Sequence, residues 1–161
     1  MSIAEIHKNR FGSEPEGVYK APGRVNLIGE HTDYNDGYVL PTPIDRHLEV
    51  SLQKRSDNMI NLYSHDFKQD TGYKIEDFKR DPKHHWANYV LGVVQALQKR
   101  GYHLGGFNMC IQGNVPIGAG LSSSAALETA VVRGLKEQYE LDLDPVEIGR
   151  ASCRERVCHR V

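Results

Sequence analysis

Polar side chains with the chemistry to bind a small ligand are concentrated in the segment GRVNLIGEHTDYNDGYVLP, residues 23–41. They include Arg24, Glu30, His31 and Asp33. One interpretation is a surface loop in which aspartates and asparagines stabilise turns. A metal site is a weaker alternative, because His31 and Asp33 have no second pair of ligands nearby. Carboxylates and an imidazole together match the hydroxyl pattern of a hexose, so a sugar site fits the side chains better.

Glycines and serines form a second group in PIGAGLSSSAA, residues 116–126. Glycines let the backbone approach an anion closely, and a helix N-terminus offers unpaired N–H groups and a positive dipole end. The segment has neither the Gly-Lys-Ser/Thr end of a Walker A loop nor the third glycine of the dinucleotide fingerprint. It is therefore either a phosphate loop of another type or a tight turn in which Ser122 or Ser123 caps the next helix.

The hydrophobic pattern predicts the elements that position these groups. The predicted elements are strands at 47–55, 59–66 and 107–112 and helices at 86–101 and 122–140. Turn-forming residues between the first two strands indicate a hairpin. The third strand, the glycine loop and the second helix follow one another directly, so the loop joins a strand to a helix N-terminus.

The composition favours a small-molecule partner. Lys and Arg total 20 and Asp and Glu total 21, so no positive excess indicates binding to nucleic acid or to an anionic membrane. No apolar run approaches the ~20 residues of a membrane span, and Ile3, Ile6 and Phe11 have helical spacing in place of a signal-peptide core. We expect a cytoplasmic protein without a disulfide framework.

The two polar segments together resemble a known enzyme family. Residues 23–41 resemble the galactokinase signature. GNVPIGAGLSSSAALE, residues 113–128, resembles the phosphate loop shared by galactokinases, homoserine kinases, mevalonate kinases and phosphomevalonate kinases, the GHMP kinases. WANYVLGVV at 86–94 and GGFNMCIQG at 105–113 extend the resemblance, which covers about residues 8–147.

The resemblance implies ATP-dependent phosphorylation of D-galactose at the C1 hydroxyl. By position it assigns sugar binding to Glu30, His31, Thr32 and Asp33. It places Arg24 where the attacking oxygen meets the γ-phosphate, as a transition-state stabiliser. The alternative for Arg24 is a structural salt bridge to Asp33 or Asp36.

The same resemblance implies a nucleotide site. Residues implied in ATP binding are Ser64, Gly118, Ala119, Gly120, Leu121, Ser122, Ser123 and Ser124. The Ser124 hydroxyl would also ligate Mg²⁺, which prefers hard oxygen donors. Trp86 could line the adenine pocket, but it begins an apolar helical stripe, so we assign it to the core.

The implied fold is an α+β domain of the GHMP-kinase N-terminal type, similar to ribosomal protein S5 domain 2, with a mixed β-sheet and helices packed on one side. Its segments would be a galactose-binding part at 8–58 and an ATP-binding part at 59–147. Two alternatives stay open: an N-acetylgalactosamine kinase, and a galactose- and ATP-binding regulatory sensor without kinase activity. The intact serines of residues 122–124 favour the enzyme over the sensor.

The last fourteen residues, IGRASCRERVCHRV at 148–161, depart from the family. They contain four arginines and two cysteines and show no hydrophobic period. We expect this tail to be non-native, the translation of a sequencing adapter joined to a truncated gene. A metal cluster of Cys153, Cys158 and His159 is the alternative, but its spacing matches no closed zinc site. The family's second acidic Mg²⁺ ligand and catalytic aspartate are absent, so we expect this chain to lack activity.

Overall fold

The structure, a computed structural model, describes residues 1–28, 38, 40–115 and 120–144. Its strands are β1 Gly17–Ile28, β2 Leu40–Lys54, β3 Met59–Ser64, β4 Gln69–Lys74 and β5 Phe107–Gly113. They form one sheet in the spatial order β1-β2-β5-β3-β4. β3 and β5 run parallel, whereas the other neighbouring pairs are antiparallel. The predicted mixed sheet is therefore confirmed.

The helices are α1 Ile3–Phe11, α2 Ala87–Lys99 and α3 Ser123–Gln138. α2 and α3 cover one face of the sheet, where Val94 of α2 and Val131 of α3 are fully buried with Met109 of β5. α1 lies on the opposite face, where Ile3 and Ile6 pack against Cys110 of β5. Successive side chains of a strand point to opposite faces of the sheet. α1 therefore covers part of the face for which the sequence predicted no helix.

Most predicted elements of the second half are confirmed. The strand at 107–112 and the helices at 86–101 and 122–140 agree with β5, α2 and α3 to within two residues. The predicted hairpin is wrong, because β5 lies between β2 and β3. The Arg55 N–H donates to the Gly106 carbonyl at 2.8 Å, and the Gly106 N–H donates to the Asp57 carbonyl at 3.1 Å, so the turn between β2 and β3 bonds to the start of β5.

α3 lies close to β1 because of a glycine. A Cβ added to Gly134 of α3 would lie 2.8 Å from the ring of Tyr19 in β1. The Gln138 side chain then donates to the Tyr19 hydroxyl at 2.8 Å. This contact sets the distance between the helix that follows the glycine loop and the strand that contains Arg24. None of the helices in the described ranges has the length and apolar character needed to cross a membrane.

Candidate functional site

A cavity of about 990 Å³ lies where β3 ends, α2 begins and α3 begins. Its described lining residues are Leu48, Ser64, Asp66, Phe67, His85, Trp86, Tyr89, Ile111, Gly113, Asn114, Val115, Gly120, Leu121, Ser122, Ser123, Ser124 and Leu127. The lining combines aromatic side chains, a serine-rich helix N-terminus and one carboxylate. Concave sites that bind small ligands have this composition, a mostly apolar wall with a few polar groups.

The serine loop, residues 120–124, supplies the polar wall of this cavity. Gly120 has φ +71°, a conformation that glycine adopts without strain. Ser122 is the N-cap residue of α3, also with positive φ (55°), and its side chain makes no capping hydrogen bond. The capping alternative for Ser122 is therefore wrong, and the start of α3 at Ser122, Ser123 and Ser124 lines the cavity. A helix N-terminus with this exposure attracts anions.

The ends of β3 and β5 supply the opposite wall. Ser64, the last residue of β3, is only 2% exposed, and its hydroxyl accepts from the Phe67 N–H at 3.4 Å. Asp66 follows it, and its carboxylate accepts from the Gly113 N–H at 3.0 Å. Burial raises the pKa of Asp66 above its usual value. Sequence reasoning found Ser64 only through the family resemblance and missed Asp66, because nothing local shows that β3 and β5 end side by side.

The aromatic wall comes from the start of α2. Trp86 is 9% exposed, and its indole N–H donates to Gln69 Oε1 at 3.0 Å. It belongs to the core cluster and also lines the cavity together with His85 and Tyr89. The assignment of Trp86 to the core alone is therefore incomplete. The signal that could have placed it in the site was its position at the first turn of a helix, where one side of the ring can face outward.

Arg24 lines a second cavity of about 280 Å³ beside the first. Its described lining residues are Ala21, Pro22, Gly23, Arg24, Pro41, Thr42, Pro43, Ser122, Ala125, Ala126 and Thr129. Ser122 lines both cavities. The Arg24 N–H donates to the Leu121 carbonyl at 3.1 Å, and a Cβ on Gly23 would lie 2.9 Å from that same oxygen. β1 and the serine loop are thus in direct contact.

The structure brings together seven of the residues named from the sequence. Arg24, Ser64, Gly120, Leu121, Ser122, Ser123 and Ser124 surround the two adjoining cavities. Glu30, His31, Thr32, Asp33, Gly118, Ala119 and the tail at 148–161 lie outside the described residues. The role of each residue stays a prediction, and the observed geometry is that of two cavities that share Ser122, one lined by Arg24 and the other by Trp86 and Tyr89.

Comparison with known proteins shows the family to which this fold belongs. The galactokinase galactose-binding signature matches residues 5–54, and the N-terminal domain of the GHMP kinases matches residues 88–159. The galactokinase of Lactococcus lactis, solved in complex with galactose, superposes with a TM-score of 0.84 at 34% identity. The alignment covers 92% of this chain and 39% of that one. The chain carries a GHMP-kinase N-terminal domain with a galactokinase signature.

Two further GHMP kinases share the fold of this domain. The mevalonate kinase of Methanococcus jannaschii has a TM-score of 0.69 at 20% identity. The alignment covers 84% of this chain and 44% of the mevalonate kinase. The phosphomevalonate kinase of Streptococcus pneumoniae, solved with phosphomevalonate and AMPPNP, has a TM-score of 0.64 at 20% identity, covering 84% and 41%. The domain thus spans about two fifths of the length of these kinases.

The match to the N-terminal domain of the GHMP kinases extends to residue 159 and so includes most of the tail, residues 148–161, that we expect to be non-native.

Proposed function

We propose that the protein to which this domain belongs transfers the γ-phosphoryl group of ATP to the C1 hydroxyl of D-galactose. The observation that carries the proposal is the junction of the two cavities at Ser122, where the Arg24 strand contacts the serine loop. Two substrates that must react need adjoining sites, and proximity of the reacting atoms supplies much of the rate. The similar Lactococcus lactis protein, a galactokinase solved with galactose, supports the choice of sugar.

ATP is assigned to the larger cavity. Its triphosphate would lie against the serine loop, where helix N–H groups and the hydroxyls of Ser122, Ser123 and Ser124 can donate hydrogen bonds. Its base would lie against the wall formed by Trp86 and Tyr89, since flat aromatic surfaces stack on each other. AMPPNP bound to the Streptococcus pneumoniae kinase of the same fold supports a nucleotide in this family.

Galactose is assigned to the side of Arg24. The sugar-binding roles proposed for Glu30, His31, Thr32 and Asp33 place the hexose next to β1, whose last described residue is Ile28. Each hydroxyl would then find a carboxylate or imidazole partner, and an analogue that lacks a hydroxyl would leave that partner unpaired. The Arg24 cavity is the smaller of the two, and Ser122 is the residue of the serine loop that lines it.

The reaction forms a bond between the C1 oxygen of galactose and the γ-phosphorus. The bond from that phosphorus to the β–γ bridging oxygen breaks, ADP leaves, and the hydroxyl proton is released. The planar guanidinium of Arg24 would stabilise both a deprotonating C1 hydroxyl and the transferring phosphoryl group. The second contribution of the chain is orientation, because the hydrogen bond from the Arg24 N–H to the Leu121 carbonyl joins β1 to the serine loop.

Mg²⁺ is proposed as the metal that accompanies ATP. The Ser124 hydroxyl fits this role because it is a hard oxygen in the first turn of α3 and lines the cavity. The described ranges contain no group of three or more His, Cys, Asp and Glu side chains that could hold a metal ion. When bound, the ion neutralises charge on the β- and γ-phosphates.

The domain boundaries are also proposals: galactose binding at 8–58, ATP binding at 59–147 and a non-native tail at 148–161. No aspartate follows Asp144 in the sequence. A general base is typically worth 10²- to 10⁴-fold, so we propose that residues 1–161 bind ligands without measurable turnover. Sequencing the coding DNA tests the tail: adapter codons after Glu147 support a non-native origin, and a genomic copy with the same tail excludes it.

Galactose-dependent ADP release from the product of the uninterrupted reading frame tests the function. Residues 1–161 are the comparison, and N-acetylgalactosamine and glucose are the alternative sugars. We expect release with galactose, much less with the other sugars, and none from residues 1–161. Preferred use of N-acetylgalactosamine would replace the proposed substrate. Tight binding of galactose and ATP by the longer product without ADP release would favour the regulatory sensor.

A further inference from the structure

The segment between β4 and α2 is anchored by one aspartate. One carboxylate oxygen of Asp81 accepts from the backbone N–H groups of Lys83 at 2.7 Å and His84 at 3.0 Å. The other accepts from the Tyr73 hydroxyl at 2.6 Å and lies 2.8 Å from His84 Nδ1. Four hydrogen-bonding groups thus converge on one carboxylate. Hydrogen bonds to an ionised acceptor are the strong ones in proteins.

The backbone of Asp81 is fixed as well. Its N–H donates to Asn88 Oδ1 at 2.8 Å, and its carbonyl accepts from Asn88 Nδ2 at 2.8 Å. Asn88 lies in the first turn of α2. The amide of the Asn88 side chain therefore ties Asp81 to the start of α2 and closes residues 81–88 into a loop, the Asp81 loop.

Asp81 is held in its charged form. The Tyr73 hydroxyl and then His84 lower the pKa of Asp81 far below its usual range. Burial and the neighbouring carboxylate raise the pKa of Tyr73 to about 12. The phenol therefore keeps its proton and stays a donor. The Asp81 side chain is 15% exposed and does not line the cavity.

The closed loop ends at the aromatic wall of the cavity. His85 and Trp86 follow directly after the residues that Asp81 holds, and the Ala87 N–H donates to the His84 carbonyl at 2.9 Å. Trp86 is the N-cap residue of α2, but its side chain makes no capping bond. The Asp81 loop therefore replaces a cap in fixing how α2 begins. The indole N–H is bonded to Gln69, and the backbone that carries the ring lies within that loop.

We propose that Asp81 is a positioning residue for nucleotide binding, which sets His85 and Trp86 in the cavity wall without touching the nucleotide itself. This inference rests on the proposed function, because it takes the larger cavity as the ATP site. It adds a specific dependence: the affinity for ATP should respond to a side chain that lies outside the cavity.

The single tryptophan of the chain provides the measurement. ATP is titrated into residues 1–161 while Trp86 fluorescence is recorded, and the emission maximum and acrylamide quenching are measured without nucleotide. Asp81→Asn keeps the size and removes the charge. We expect about a tenfold higher Kd for ATP, equivalent to ~1.4 kcal/mol, with red-shifted emission and stronger quenching. Far-UV circular dichroism verifies that the variant is folded. Asp77→Asn makes the same change at an exposed position of this segment and should leave all three readouts unchanged.

Tyr73→Phe is the second variant. It removes one donor to Asp81 and keeps the ring, so a smaller change in the same direction is expected. Unchanged Kd, emission and quenching in folded Asp81→Asn would overturn the inference. If Asp81→Asn does not fold, the same null result in Tyr73→Phe would overturn it. Failure of the wild-type chain to bind ATP would count against the proposed function instead, and the nucleotide-free emission and quenching would then decide whether Asp81 orients Trp86.

Discussion

The backbone N–H of Arg24 donates to the carbonyl oxygen of Leu121 at 3.1 Å, and this bond joins β1 to the loop that precedes α3. Arg24 and Leu121 belong to the two segments that carry the family resemblance and are almost one hundred positions apart in sequence. Their contact lies where the two cavities share Ser122, and it needs a glycine at position 23, because a Cβ there would lie 2.9 Å from the Leu121 carbonyl.

Gly23→Ala should weaken the contact between β1 and the serine loop. Its Cβ would lie 2.9 Å from both the Leu121 carbonyl and Ile44 Cδ1, so the strand or the loop must shift. We expect a loss of ~1–3 kcal/mol in the free energy of unfolding and weaker ATP binding, measured by urea titration and Trp86 fluorescence. Gly105→Ala is the control, because its Cβ would meet only the Tyr139 side chain at 3.6 Å. Equal stability of both variants would contradict the close approach.

Ser122→Ala should separate ligand binding from helix capping. Because the Ser122 side chain makes no capping bond, its loss should change the free energy of unfolding by less than ~0.5 kcal/mol. The Kd for ATP should rise about three- to tenfold, the value of one hydrogen bond. Ser2→Ala is the matched comparison, since Ser2 does cap α1 through its side chain and should cost ~0.5–2 kcal/mol. A comparable destabilisation by Ser122→Ala would show that this hydroxyl serves the helix.

Arg24→Lys should lower turnover far more than sugar affinity. Lysine keeps the charge but loses the planar fork of donors, which matters most for charge that develops during transfer. In the longer protein we expect kcat to fall about a hundredfold or more, with the apparent constant for galactose changed less than about threefold. Arg133→Lys on the exposed side of α3, where Arg133 pairs with Glu137 at 3.2 Å, should leave both constants unchanged. Lost sugar affinity at constant kcat would assign Arg24 to binding alone.

His7 should make stability depend on pH. The ring is fully buried, its Nδ1 lies 2.7 Å from Ser51 Oγ, and Nε2 has no hydrogen-bond partner within the described residues. Burial lowers the pKa of His7. The unfolded chain therefore binds a proton near pH 6.5 that the folded chain binds only at lower pH, and stability falls as the pH drops below about 6.5.

Urea titrations between pH 7.5 and 5 measure this dependence. We expect His7→Gln to reduce the slope, which one such group can raise to about 1.4 kcal/mol per pH unit. His103→Gln changes an exposed histidine and should leave the slope as in the wild type. An unchanged slope in His7→Gln would show that the ring accepts a proton in the folded chain.

The sequence predicted the second half of the domain well because the local pattern is decisive there. Apolar residues at helical spacing mark α2 and α3, and the strand between them is bounded by glycines. β1 carries no such signal, because Pro22 and Gly23 in its middle are typical of a turn. In the structure the pairing of β1 with β2 is irregular between Pro22 and Arg24. Gly23, which makes β1 look like a turn in the sequence, is thus also the residue that allows the Leu121 carbonyl to approach the strand.

Strand order and the cavity walls could not be predicted from local patterns. Residues 56–58 reverse the chain, but nothing in them shows that β5 enters between the two strands. A Cβ on Gly106 would lie 2.2 Å from the Asp57 carbonyl, so this glycine permits the insertion. Asp66 joins the site by the same insertion, since its partner Gly113 ends β5. Long-range pairing of this kind becomes visible only in three dimensions.

A crystal structure with galactose and a non-hydrolysable ATP analogue tests the central claim most directly. We expect the triphosphate against the serine loop, the base beside Trp86, and the C1 hydroxyl of galactose between the Arg24 guanidinium and the terminal phosphate. A nucleotide bound outside the larger cavity, or a galactose separated from Arg24 by the sheet, would contradict the account.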